Sequence, residues 1–124
     1  MTKREEIKEL WLWCGLTCYE DDTTWSAWYD NKGKLICCGH LDEMPALTLD
    51  NLFLYAVPKL KKVLDVDCIS FDNEGCSIDY WTQKVEIDRF GISSYRGESS
   101  DPAEALAKAI LEVIRSGEKG RDTG

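Results

Sequence analysis

Apolar and polar positions follow two different rhythms along this chain. Ile7, Leu10, Trp11 and Cys14 recur at spacings of three, one and three, which is one stripe of a helix over residues 3–14. Gly15 stands where such a helix stops. The rhythm then shortens. Residues 16–20 read as a strand. Residues 24–30 follow, with Trp25, Ala27 and Tyr29 alternating against Ser26 and Trp28, and 34–38 make the returning strand. The polar tetrapeptides EDDT (20–23) and DNKG (30–33) separate these strands as turns, and GHLDEMPA (39–46) reads as a loop.

The helical rhythm returns with Leu49, Leu52, Phe53, Ala56, Val57, Leu60, Val63 and Leu64, the longest amphipathic stripe in the chain. Thr48 is placed to cap this helix, with Asp50 in its first turn. Pro58 lacks the N–H that would bond the carbonyl of Leu54, so a kink or break is predicted there. Residues 66–71, a turn at DNEG (72–75) and residues 76–81 make a hairpin. Pairing Phe71 with Cys76 sets Ile69 opposite Ile78 and puts the apolar residues on one face. Residues 84–90 are predicted as a third strand and 91–100 as a loop. Asp101, Pro102 and Glu104 have the order of a helix start, and Ala103, Leu106, Ala107, Ile110 and Ile114 face inward from that helix. The alanines allow it to lie close to a sheet.

The predicted class is α+β: antiparallel sheet packed by two to three helices, in the order helix, strands, helix, strands, helix. Residues 1–116 form one domain and 117–124 a flexible tail. The turns at 30–33 and 72–75 echo one another as Asp-Asn-x-Gly. A duplicated unit would produce this, and so would ordinary turn chemistry.

Composition narrows the function. At 44% hydrophobic and 31% charged residues, the chain belongs with folded globular proteins rather than disordered ones. A net charge of −8 argues against direct binding of nucleic acid, which needs a basic surface. It favours a protein partner with a basic surface. Lys59, Lys61 and Lys62 are the one dense basic run, near a helix C-terminus where cations are favoured anyway. No apolar run approaches the ~20 residues of a membrane span, and MTKREEIKEL lacks the apolar core of a signal peptide. A cytoplasmic protein with reduced thiols is expected, with no membrane partner, and self-association stays open.

Six cysteines and one histidine raise the question of a metal. Cys14 and Cys18 have knuckle spacing, but no second knuckle follows, and adjacent Cys37 and Cys38 point to opposite faces of a strand. Cys14, Cys18, Cys38 and His40 are the conceivable ligand set. Packed thiols explain the same residues, and no metal or other cofactor is predicted. His40 beside Cys38 lacks a third group to orient it as a base. Glu20, Asp21 and Asp22 lack the spacing of a calcium loop. No phosphate-binding loop, dinucleotide fingerprint or H-E-x-x-H motif occurs, and nothing points to an enzyme.

Two surfaces remain. On the second set of strands, Ser70, Asp72, Ser77, Asp79, Trp81, Glu86 and Asp88 would face away from Ile69, Phe71, Ile78, Val85 and Ile87. A solvated sheet face would look like this. So would a docking surface for a basic partner, formed by Asp72, Asp79, Trp81, Glu86 and Asp88 with Trp81 as anchor. A nucleotide-like ligand would instead use Trp25, Trp28 and Tyr95 for stacking and Arg96 for phosphate, within reach of a serine-rich loop at 92–100.

The strands of 66–90 followed by DPAEALAKAILEVIR resemble the small alpha–beta–alpha sandwich proteins encoded by bacteriophages and prophages. The likeness covers roughly the last sixty residues. It implies a mobile-element origin, a bacterial host cell and a three-stranded antiparallel sheet covered by helices, but no functional residues. The acidic strip departs from that pattern, because a sandwich covers both sheet faces. The function expected is binding by a non-enzymatic accessory protein that inhibits a bacterial defence protein or nuclease through its acidic surface. A nucleotide-sequestering protein and a structural zinc protein are the alternatives.

Overall fold

A computed structural model describes residues 3–21, 24–40, 43–84 and 89–123, with side chains over 3–21, 24–40, 43–81 and 91–116. The chain is α+β, with two three-stranded antiparallel sheets and helices before, between and after them.

Helix α1 (Arg4–Trp13) begins where the Glu6 carboxylate accepts the backbone N–H of Lys3 at 3.1 Å. It ends at Gly15, whose φ of 93° lets the chain turn while Gly15 and Leu16 donate to the carbonyls of Leu12 and Trp11. Sheet 1 has the order β1 (Thr17–Glu20), β2 (Trp25–Tyr29), β3 (Leu35–His40). At the β2–β3 turn one Asp30 carboxylate oxygen accepts the N–H groups of Lys32 and Lys34, and Gly33 takes a φ of 85°.

The alternation predicted for β2 holds, and its Ser26/Trp28 face is the one turned to the core. Trp28 is the core residue, 1% exposed, and Ser26 on the same face is buried beside it, while Trp25 is exposed. Ala27 on the other face is buried as well, but it does not join the core cluster that Trp28 enters. The Ser26 hydroxyl donates to the carbonyl of His40 at 2.8 Å, which settles its one polar atom. A bulge after Trp28 lets both Ile36 and Cys37 touch the core, where strict alternation would turn one of them away. The indole N–H groups of Trp11 and Trp28 donate to the carbonyls of Pro45 and Glu43, each at 3.0 Å. Two tryptophans from different elements thus pin the connection after β3.

The helical run of 49–63 is capped by the Thr48 hydroxyl, which accepts the N–H of Asn51. It is α-helical over α2 (Leu49–Asn51), π-helical over Leu52–Ala56, and α-helical again over α3 (Val57–Val63). In place of a break at Pro58, the irregularity falls in the turn before it, as the π-helical segment. The wider turn just before it puts Pro58 at the start of α3, where no N–H is required, and the N–H of Val57 bonds the carbonyl of Leu52 instead. One extra residue in the turn rotates the stripe. Leu52, Ala56, Val57 and Leu60 stay buried, while Phe53, Leu54 and Val63 are exposed.

Sheet 2 has the order β4 (Asp65–Phe71), β5 (Gly75–Lys84), β6 (Arg89–Glu98). Phe71 pairs with Cys76 and Ile69 with Ile78, the register read from the sequence. The third strand is a correction: β6 occupies Arg89–Glu98, most of it expected to be loop. Gly91, Ser93, Ser94 and Gly97 look like turn formers, but along β6 Gly91, Ser93, Tyr95 and Gly97 alternate with Ile92, Ser94, Arg96 and Glu98 and fit the pleat.

Helix α4 runs Pro102–Thr123, started by the Asp101 carboxylate accepting the N–H of Ala103. Its backbone continues through most of the segment set aside as a tail. Ala105, Leu106, Ala109, Ile110, Leu111 and Val113 are buried and join Leu10, Trp11, Trp28, Leu52, Leu60, Cys76 and Ile78 in one core cluster. At Gly97 a Cβ would lie 2.1 Å from the carbonyl oxygen of Ala105, so β6 and α4 approach backbone to backbone. The side chains of Arg115 and Glu6 bond α4 to α1, and Lys8 reaches Glu20 at 2.8 Å, tying α1 to β1.

The echoed turns join β2 to β3 in sheet 1 but β4 to β5 in sheet 2. They occupy non-equivalent hairpins, and turn chemistry explains the echo: Asp72, like Asp30, accepts two backbone N–H groups with one oxygen.

Candidate functional site

The inner face of sheet 2 is covered by α4, so its outer face carries the polar side chains. Three rows cross it. Ser70, Ser77 and Arg96 form the first, Cys68, Asp79 and Ser94 the second, and Asp65, Trp81 and Ile92 the third. A bulge between Val66 and Cys68 turns Asp67 to the same face.

The rows are locked by side-chain bonds. Arg96 donates to the Ser77 hydroxyl at 3.0 Å and to Asp72 at 3.1 Å. Asp79 accepts from the Ser94 hydroxyl at 2.5 Å and from the Cys68 thiol at 3.3 Å. The Trp81 indole N–H donates to Asp67 at 3.1 Å. The guanidinium on Asp72, helped by the turn N–H groups, holds its carboxyl down at about 2. Bonds from Ser94 and Cys68 lower the Asp79 carboxyl, and the same Asp79 bond raises the Cys68 thiol.

These carboxylates therefore stay ionised well into acid. Among the described residues Asp65, Asp67, Asp72, Asp79 and Glu98 stand against the one guanidinium of Arg96 on this face. Trp81 (42% exposed) and Ile92 (52% exposed) lie side by side as an apolar pair within that field.

Of the five partner-binding residues read from the sequence, the structure gathers Asp72, Asp79 and Trp81 on one face. Glu86 and Asp88 lie outside the described residues, as do Val85 and Ile87. Sequence reasoning missed Asp65, Asp67, Ile92 and Ser94; Cys68 falls on this face by simple alternation with Ile69. The first two depend on a bulge that leaves no mark in composition. The last two depend on the true position of β6, for which the alternation of 91–98 was the available signal.

The four ligand-stacking candidates are not brought together. Trp28 is in the core with its indole N–H engaged. Trp25 lies on sheet 1, in edge contact with Tyr19. Tyr95 stacks on Tyr80 at 5.1 Å on the helix side of sheet 2, and its hydroxyl donates to Ser116. Arg96 is on the opposite face of that sheet, and the proposed loop around it is strand β6.

The metal candidates are likewise divided. Cys18 and Cys37 flank Trp28 on the core face of sheet 1, while Cys38 and His40 are exposed on the other. Among the described residues no three His, Cys, Asp or Glu side chains are grouped to hold an ion. Burial pushes the Cys14 thiol up to about 12 and Cys76 to about 11, so both stay protonated and serve as small apolar side chains. No described helix is long and apolar enough to cross a membrane.

Comparison with family models, with curated proteins and with solved structures finds no match to this chain.

Proposed function

We propose that this protein acts by binding, and that the outer face of sheet 2 receives a basic patch on a protein partner. The observation that supports this is the exposed Trp81–Ile92 pair set among Asp65, Asp67, Asp72 and Asp79 on a face otherwise fixed by its own hydrogen bonds. Steering by the acidic field brings the partner in, and the desolvated apolar pair holds it. The locked rows mean that little side-chain entropy is lost on docking. The mobile-element origin implied by the resemblance of residues 66–115 makes a bacterial defence protein the first partner class to test. A nuclease fits best, because its nucleic-acid surface is basic. The protein would then be an inhibitor without catalytic chemistry of its own.

The experiment is capture from bacterial lysate by wild type, by Asp65→Lys/Asp67→Lys and by Trp81→Ala, at low and high salt. The expected result is one partner captured by wild type at low salt, weakened by salt, and lost in both variants. Equal capture by all three proteins would overturn the reading.

A further inference from the structure

A second charged feature lies at the opposite sign. The end of α1, the start of sheet 1, the turn at 30–33 and the run of 49–63 enclose a cleft of about 100 Å³. Cys14, Leu16, Asn31, Tyr55, Lys59 and Lys62 line it, and Leu54 and Pro58 form its lip. No carboxylate is among these residues, in a chain whose net charge is −8. The clefts beside β6 and beside β1 do carry carboxylates: Glu6, Glu98 and Glu112 in one, Glu5 and Glu20 in the other.

Among the described residues no carboxylate lies within ion-pairing distance of Lys59 or Lys62. Lys59 is instead held over the Trp13 ring at 5.8 Å, which fixes its ammonium without removing its charge. It is not required as a cap for α1, because the carbonyls of Leu10, Trp11 and Leu12 already accept the N–H groups of Cys14, Leu16 and Gly15. Asn31 sits in the Asp30-braced turn, so its position too is set by the backbone. The protonated Cys14 thiol adds no negative charge to the wall.

Two ammonium groups without a carboxylate partner among the described residues, and an amide, around an open cleft with no carboxylate in its lining match an oxyanion. A volume of about 100 Å³ holds several waters or one tetrahedral anion. Leu54, 61% exposed at the lip, offers an apolar shelf for whatever the anion is attached to. We infer that this cleft is a phosphate-binding site, taking inorganic phosphate or the phosphate of a small monoester between Lys59, Lys62 and Asn31. It uses none of the residues of the acidic face.

The test is a titration of the full chain, followed by amide NMR shifts, with inorganic phosphate, adenosine monophosphate and adenosine at low ionic strength, about 0.02 M. The expected result is saturable shifts around Asn31 and Lys59–Lys62 with both phosphates and none with adenosine. Tighter binding of the monophosphate would place its body on Leu54, and equal binding would assign the site to the phosphate alone. Lys59→Gln/Lys62→Gln should weaken binding about tenfold or more, and Lys108→Gln should leave it unchanged. Should the double variant not fold, Lys62→Gln alone must weaken binding about threefold. Shifts that do not saturate, that follow adenosine, or that persist in the lysine variants would overturn the assignment.

Discussion

The two sheets have the same strand order and pairing, yet they are held and finished differently. Sheet 2 is covered by a long helix, and its contact is made from small residues: Gly97 and the alanines of α4 bring backbones together, with Cys76 and Ile78 filling what remains. Sheet 1 reaches the core chiefly through one large side chain, Trp28, fixed by a hydrogen bond to Glu43. The outer faces diverge as well. Sheet 2 turns out a hydrogen-bonded acidic array. Sheet 1 turns out Tyr19, Trp25, Leu35, Cys38 and His40. Identical topology therefore says little about either packing or surface; side-chain size on the inner face and charge on the outer face are chosen independently.

The two sheets differ most in what the loss of one tryptophan costs each. Trp28→Ala should cost about 3–5 kcal/mol, because it removes a fully buried indole and leaves the Glu43 carbonyl without its donor. Trp81→Ala, on the outer face, should cost under about 1 kcal/mol. Urea unfolding of both variants checks this, and equal losses would deny that sheet 1 hangs on one side chain.

Gly97→Ala probes the other mode of packing. Its new methyl would meet the backbone of Ala105 and Ala109 rather than a movable side chain. A loss of about 1–3 kcal/mol is expected in the same unfolding assay, and a smaller one for Gly33→Asn, whose surroundings are open but whose φ of 85° still strains a side-chain-bearing residue, asparagine least among them.

A smaller effect separates the polar face of sheet 2 from ordinary surface charge. The Asp72 carboxyl, held at about 2 by Arg96, should titrate in that range by carboxyl-carbon NMR, and Arg96→Met should return it toward the usual value. Because the folded state lowers this pKa, whatever stability the pair supplies is present above the ordinary carboxylate range. It disappears as pH falls through about 2. An Asp72 midpoint unmoved by Arg96→Met would mean the bond is not formed in solution.

The smallest effect compares two exposed thiols, one on each outer face. Cys68 donates to the Asp79 carboxylate, which opposes its ionisation; Cys38 on sheet 1 makes no such bond among the described residues. Alkylation at pH 8, followed by mass spectrometry, should modify Cys38 first, and Asp79→Asn should quicken Cys68. Equal rates before and after that substitution would remove the hydrogen bond from the description of the site.

Local chemistry carried the sequence reading a long way. Gly15, Thr48, Asp101-Pro102 and the two Asp-Asn-x-Gly turns each act over fewer than five residues, and each does in the structure what its neighbours required. The pairing of Ile69 with Ile78 also followed from the chain alone, because a two-residue period and a tight turn leave one register that buries the apolar set. What the sequence did not decide were choices made by contacts far apart along the chain. Trp28 faces inward because the indole finds Glu43 and the core of α1 and α4. Pro58 is absorbed nearer by, in a π turn whose Val57–Leu52 bond composition does not announce. Residues 91–98 become a strand because Gly97 lets α4 press against them, and only then do Ile92, Ser94 and Arg96 complete the acidic face with Asp67, Asp79 and Trp81.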